Sequence, residues 1–306
     1  MAGITGKDQV LSAYAEKLAR GEAPKGRSLT QDALYRLSRN KMAVLSIFVL
    51  ALIIIIAFAG PAFVPWQYSQ VDWGQIRKPP NFEAGHYFGT DQNGRDMLAR
   101  VLQGTQMSLI VAAVATLVSV FIGVIYGAVA GYFGGRVDAI MMRFVDIMYA
   151  LPYILFVIIL VVMFGRNPVL LFVGIGAIEW LTMARIVRGQ TLSIKEKEFV
   201  EAARAGGAKP FTIIMRHIVP NLTGPVVIYA TLTIPEIIIA ESFLSYLGLG
   251  VQEPQTSLGT LISDGAPVAE VMPWLLLAPA GVLVTMLFCL TYIGDGLRDA
   301  LDPKDR

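Results

Sequence analysis

Three acidic residues, Glu179, Glu236 and Glu241, interrupt stretches that are otherwise apolar. A charge near the centre of a bilayer costs about 2.5–3.5 kcal/mol on insertion scales, so an acid there is a candidate for contact with a cation or a proton. Glu236 lies deepest in its stretch and Glu241 about a turn further out; for each, the plainer reading is a structural hydrogen bond to another helix. A second set of residues forms a polar island, Glu201-Ala202-Ala203-Arg204-Ala205-Gly206-Gly207, followed by His217-Ile218-Val219-Pro220-Asn221. Helix formers ended by a double glycine, between two apolar runs, suit a surface that receives a soluble partner.

Other chemistry is missing. The chain has two histidines, His86 and His217, with no H-E-x-x-H and no paired cysteines, so no metal site is expected. The single Cys289 falls in an apolar run and allows no internal disulfide. No G-x-x-x-x-G-K-[ST] string occurs, so any ATP used is hydrolysed on another polypeptide and the chain is not expected to be an enzyme or to hold a cofactor. Asp91-Gln92-Asn93-Gly94-Arg95-Asp96 has its glycine at the fourth position, where a calcium loop needs the sixth.

The elements that must position these residues follow from composition. The chain of 306 residues is 55% hydrophobic and only 16% charged, with a mean hydropathy of +0.60, which is far outside the range of a soluble domain. Six apolar runs are long enough for a hydrocarbon core of roughly 30 Å. They cover Met42 to Phe63, Ser108 to Gly131, Ile147 to Phe164, Val169 to Ile186, Val226 to Leu247 and Trp274 to Ile293. Because lipid offers backbone groups no partner, all six are expected to be helical, giving an all-α polytopic membrane protein. The first run starts only at Met42 and is long enough to remain as an anchor rather than a cleaved signal.

Six crossings put both termini on one side. Of the 25 Lys and Arg residues, only Arg77, Lys78, Arg95, Arg100 and Arg166 fall on the opposite face, which places the termini and the island in the cytoplasm. There the Asn221-Leu222-Thr223 sequon is out of reach of glycosylation. The expected divisions are a cytoplasmic segment 1–41 with an amphipathic stretch around Leu29 to Lys41, a first span 42–64, an external connection 65–106, a membrane domain 107–295 containing the cytoplasmic loop 187–221, and a tail 296–306. The net charge of +2 gives no case for nucleic acid; the basic N-terminal residues suit topology and the lipid headgroups.

Within the island, Ser193-x-x-Glu196 reads as a capping box opening a helix that runs to about Ala205. Phe199, Val200 and Ala203 share its apolar stripe, and Glu201 points away, flanked by Lys197 and Arg204. Gly206-Gly207 ends it; Pro210 opens a second short helix that Pro220 closes. These features suit a docking knob and an amphipathic connector on the headgroups equally well. Gly123, Gly127 and Gly131 form a small-residue ridge for helix packing. Pro152 and Pro235 should kink or loosen the third and fifth spans.

E-A-A-x-x-x-G from Glu201 to Gly207, followed by the I-x-P segment ending at Pro220, resembles the signature loop of ABC-importer permeases, with Val219-Pro220 where Leu-Pro is common. The chain further resembles the dipeptide, oligopeptide and nickel importer group, in the subunit with an extra N-terminal segment. That likeness rests on Phe88-Gly89-Thr90-Asp91 with Gly94-Arg95-Asp96, on Ala184 to Gln190, on Glu241 to Gly250 and on Gly294 to Asp299. It implies the type I importer permease fold in a bacterial inner membrane. It also implies a second, similar permease, two ATPase subunits and an external solute-binding protein as partners. Glu201, Ala202, Ala203, Gly207 and Pro220 would then belong to the coupling loop that engages an ATPase, and Glu236 and Glu241 to a fifth span lining the translocation path. Glu179 and Glu236 depart from the family's pattern. The runner-up is an ion-coupled secondary transporter or channel using Glu236 and Glu241, although no internal repeat supports it.

Overall fold

A computed structural model of the chain describes residues 29–164 and 168–301; the side chains of 29, 30, 153, 160, 161, 164 and 168–173 lie outside the description. The expectations for residues 1–28, Arg166 and 302–306 therefore fall outside the described residues. In chain order the helices are α1 (Leu29–Arg39), α2 (Lys41–Ala59), α3 (Met97–Phe133), α4 (Gly135–Ala150), α5 (Tyr153–Phe164), α6 (Pro168–Ile194), α7 (Glu198–Ala205), α8 (Pro210–Ile213), α9 (Thr223–Tyr246), α10 (Leu258–Gly265) and α11 (Trp274–Leu301). Among the described residues the only strand-like pairings are isolated bridges, such as Val71 with Arg95.

Among the described residues, four helical stretches are long and apolar enough to cross a membrane: Lys41–Ala62, Met97–Phe133, Pro210–Tyr246 and Trp274–Leu301. Of the other two expected spans, the third is interrupted and the fourth lies within a longer helix. The third is broken at Leu151-Pro152, between α4 and the 12-residue α5. Proline disfavours helical backbone in the residue before it and lacks an N–H of its own, and Leu151 is extended at φ −79, ψ 129. The fourth is α6, 27 residues with the polar Glu179 and Arg185 on it.

The expected second span, Ser108 to Gly131, is the interior of the 37-residue α3, whose first turns lie within the segment expected as external connection. Its start is fixed by Asp96, whose side chain accepts a 2.7 Å bond from the Ala99 N–H. Asn40 caps α2 in the same way, accepting from the Ala43 N–H at 3.2 Å.

Small residues draw the helices together. A Cβ on Gly127 would stand 2.4 Å from the Ala184 carbonyl oxygen, and those on Gly123 and Gly131 would meet Met183 and Thr191 at 2.6 and 2.7 Å. The ridge of α3 is thus pressed against α6, which fixes where Glu179, Thr182, Arg185 and Arg188 stand. One buried cluster joins α3, α9, α10 and α11 through Val101, Ile237, Leu258 and Met286. A second joins α3 and α6 to α7 and the segment after it through Val124, Met183, Val200, Ile213 and Ile218. Outward side chains of α2, such as Phe48 and Ile55, are apolar and exposed, as a lipid-facing helix requires.

Candidate functional site: a knob, a cavity and a sealed acid

The knob is built from α7, α8 and the turns that follow. The capping box expected at Ser193 to Glu196 does not form, because α6 continues to Ile194 and α7 starts only at Glu198, capped by the extended Lys197 backbone. Gly206 and Gly207 do end α7. The Gly206 N–H donates to the Ala202 carbonyl at 2.9 Å, the Ala208 N–H to that of Ala203 at 3.1 Å, and Gly207 adopts φ +78.

Pro220 does not close the second helix. Pro210–Ile213 continues as a π-helical turn over Ile214–Ile218 and a 3-10 turn over Val219–Leu222, and then enters α9. The π turn is the physical reason: it moves the backbone bonding ahead of Pro220, which has no N–H to offer, and lets the proline start a new turn. From Pro210 onward the knob is therefore one rod with the span that follows it.

Beneath the knob, Val200, Ile213, Ile214 and Ile218 are buried against α3 and α6, with Ala203 half-buried beside them. Facing out are Glu201, Ala202, Gly206 and Gly207. Phe199, on the apolar stripe with Val200 and Ala203, is exposed, as are Met215 and, at 72%, Phe211. Glu201 makes no ion pair with Lys197 or Arg204; the guanidinium of Arg204 lies 5.8 Å from the Tyr132 ring centre. Sequence reasoning passed over Phe211 and Met215, although an aromatic in a polar loop was the signal that could have found them.

Glu179 and Glu236, on α6 and α9, face one cavity of about 390 Å³. Its remaining wall comes from the end of α4, the Leu151-Pro152 break and α5. At its edge the Tyr149 hydroxyl shares a 2.9 Å hydrogen bond with Thr182, and Arg185 stacks over the Tyr149 ring at 4.2 Å while pairing with Asp146 at 2.9 Å.

Glu241 is in a different environment. It is fully buried, accepting hydrogen bonds from Ser108 of α3 at 3.1 Å and Ser245 at 2.6 Å, and Ser257 at the start of α10 donates onward to Ser245 at 3.1 Å. Its carboxyl joins three helices and does not line the cavity.

At the far end from the knob, the segments before α3 and around α10 form a cap. Asp91 is gripped by Arg95 at 2.7 Å and by Arg100, and also accepts from the backbone N–H groups of Asn93 and Arg95 at 2.8 Å each. Arg95 continues to Glu253 at 2.8 Å. Burial alone would raise the Asp91 pKa, but Arg100 and then Arg95 outweigh it and hold the carboxyl below its usual range. Buried His86 stacks on Trp66 and bonds Asp96 at 2.9 Å.

Long apolar helices that carry an outward knob and enclose a cavity are the architecture of a helical membrane protein. Residues 119–306 match the family described as binding-protein-dependent transport system inner membrane component, and residues 28–80 match the N-terminal TM domain of oligopeptide transport permease C. The chain belongs to that transport-system family and is the membrane permease subunit of an ABC importer of the bacterial inner membrane, a transport component that works with ATPase and substrate-binding partners.

Among its relatives, the oligopeptide transport system permease protein OppC of Haemophilus influenzae is 54% identical over 92% of this chain and 90% of that protein. OppC of Escherichia coli K12 is 53% identical over 97% of both. The dipeptide transport system permease protein DppC of Bacillus subtilis is 44% identical over 91% of this chain and 87% of its own length. A chain of the methionine ABC transporter MetNI, solved in inward-facing conformations, shares the fold at a TM-score of 0.56 and 19% identity, covering 67% of this chain and 97% of that one.

Proposed function

We propose that this chain forms half of the translocation path for peptides, paired with a second, similar permease and driven by two ATPase subunits that grip the knob. The observation that carries the reading is the knob itself. It joins a small-residue face at Ala202, Gly206 and Gly207 and exposed aromatics at Phe199 and Phe211 to a rod continuous with α9. Small residues let a partner backbone approach closely, exposed aromatics supply area to bury, and a rod passes on displacement. Glu201, Ala202, Ala203 and Gly207 belong to this contact, and Pro220 starts the turn that transmits it.

Both termini and the knob lie in the cytoplasm, and the cap faces the solute-binding protein. Peptide cargo follows from the names of the relatives. An ion-coupled carrier would use Glu236 and Glu241 together, but Glu241 is committed to Ser108 and Ser245.

Gly207→Asp tests the reading. A Cβ there meets nothing within 4 Å, so the cost is confined to backbone strain at φ +78, which Asp bears better than most residues. ATP-driven peptide uptake is expected to be lost in vesicles, with ATPase subunits bound more weakly or hydrolysing without transport. Unchanged uptake and unchanged co-purification would reduce the knob to a connector.

A further inference from the structure

The cavity between α6 and α9 holds two carboxylates with no cationic partner among the described residues. Arg185, the basic residue of α6 nearest to it in sequence, is held by Asp146 and Tyr149 outside the lining. The hydroxyls of Tyr149 and Thr182 are bonded to each other. Glu179, half-buried, and Glu236, exposed, thus share one lining with the apolar Leu151, Pro152, Phe156 and Ile178 and with the paired Tyr149 and Thr182. Two like charges at membrane depth raise each other's cost, and a cation placed between them removes it. The occupant with matching chemistry is an ammonium attached to an apolar group, and about 390 Å³ is room for a residue of that kind.

We infer that Glu179 and Glu236 form a specificity-determining subsite for the amino-terminal residue of the peptide in transit, holding its ammonium between the two carboxylates and its side chain against Phe156 and Ile178. This rests on the peptide reading above. Glu241, sealed among serines on the same helix, takes no part.

The test is ATP-driven uptake by the complete importer in proteoliposomes, with one binding protein throughout. An apolar tripeptide with a free amino terminus is compared with its N-acetylated form, for the native chain, E179Q, E236Q and the double variant. The native complex is expected to favour the free peptide. The double variant should lose about tenfold of that preference, equivalent to ~1.4 kcal/mol, while acetylated uptake holds. The E236D variant should retain most of it.

A preference equal in the native and double-variant complexes overturns the proposal, since the binding protein alone would then set it. A uniform fall for both peptides also overturns it, marking the acids as structural. If the double variant does not assemble, each single variant must still lose part of the preference. Native uptake of neither peptide, with hydrolysis intact, defeats the peptide reading itself and this inference with it.

Discussion

The cap and the knob stand at opposite ends of the long helix α3 and handle their polar groups in opposite ways. In the cap the charges are turned inward: Asp91 is held by Arg95 and Arg100, His86 by Asp96, and the Trp274 indole donates to the Thr90 carbonyl at 3.2 Å. Segments distant in sequence are joined there, and Arg100 and Asp96 are almost wholly buried. In the knob the inward side is purely apolar, and what faces out is Phe211, Met215, Glu201 and bare backbone at Gly207. A region that pairs most of its own charges can hold a shape without help, even though Nε and Nη2 of Arg100 are left without a hydrogen bond. A region that leaves aromatics and small residues exposed is shaped for something that comes to it.

The sharpest way to break this contrast is to damage each end and read a different quantity. Phe211→Asp removes apolar area from the knob's outer face without touching the packing beneath it. Peptide uptake is expected to fall to background while thermal unfolding of the purified chain in detergent is unchanged; a large drop in unfolding temperature would instead make Phe211 a packing residue. Asp91→Ala does the reverse. It leaves Arg95 and Arg100 buried with a partner lost, at a cost of about 3–5 kcal/mol to the folded state. The unfolding temperature should drop clearly. No drop would mean that the cap's ion pairs contribute little.

Between the two ends lies the α3–α6 seam, where Gly127→Leu forces a side chain against the Ala184 carbonyl. Overpacking of this kind costs about 1–3 kcal/mol, less than the loss at Asp91. The variant should unfold earlier than the native chain but later than Asp91→Ala, and the reverse order would place the greater strain in the seam.

Much of this arrangement is legible in the sequence, and what is not has local causes. Runs of Ile, Leu and Val mark the spans because nothing else in such a chain can face lipid. The start of α3 is hidden because its first turns carry Arg100, Gln103 and Gln106. These polar side chains bond Asp91, the Thr256 N–H and the Ala57 carbonyl and so read as loop. The capping box at Ser193 fails because α6 keeps its own register past it, and the break expected at Pro220 is absorbed by a π turn. Sequence marks Glu236 and Glu241 alike as acids in a span. Only packing separates them, turning one toward Glu179 across a cavity and the other into a set of serines. The glycine ridge was readable because its spacing repeats each turn, whereas the meeting of Glu179 with Glu236 depends on two distant helices and leaves no local mark.

The smallest effect expected is the pH response of the cap, where two acids pull in opposite directions. Asp91 sits below its usual range, so its contribution to stability is complete above the unfolded value, about 3.9, and fades as acid protonates the folded group. The half-exposed Asp264 is raised, first by its partial burial and against the pull of Arg100, whose Nη2 is 3.8 Å away. A raised group gives stability that is full below the unfolded value and is lost as pH climbs through the folded one. Asp264→Asn should therefore flatten the decline in unfolding temperature just above the ordinary carboxylate range and leave the acid limb, which belongs to Asp91, in place. If the substitution removed the acid limb instead, Asp264 and not Asp91 would be the carboxylate that the arginines stabilise, and the account of the cap as organised around Asp91 would be wrong.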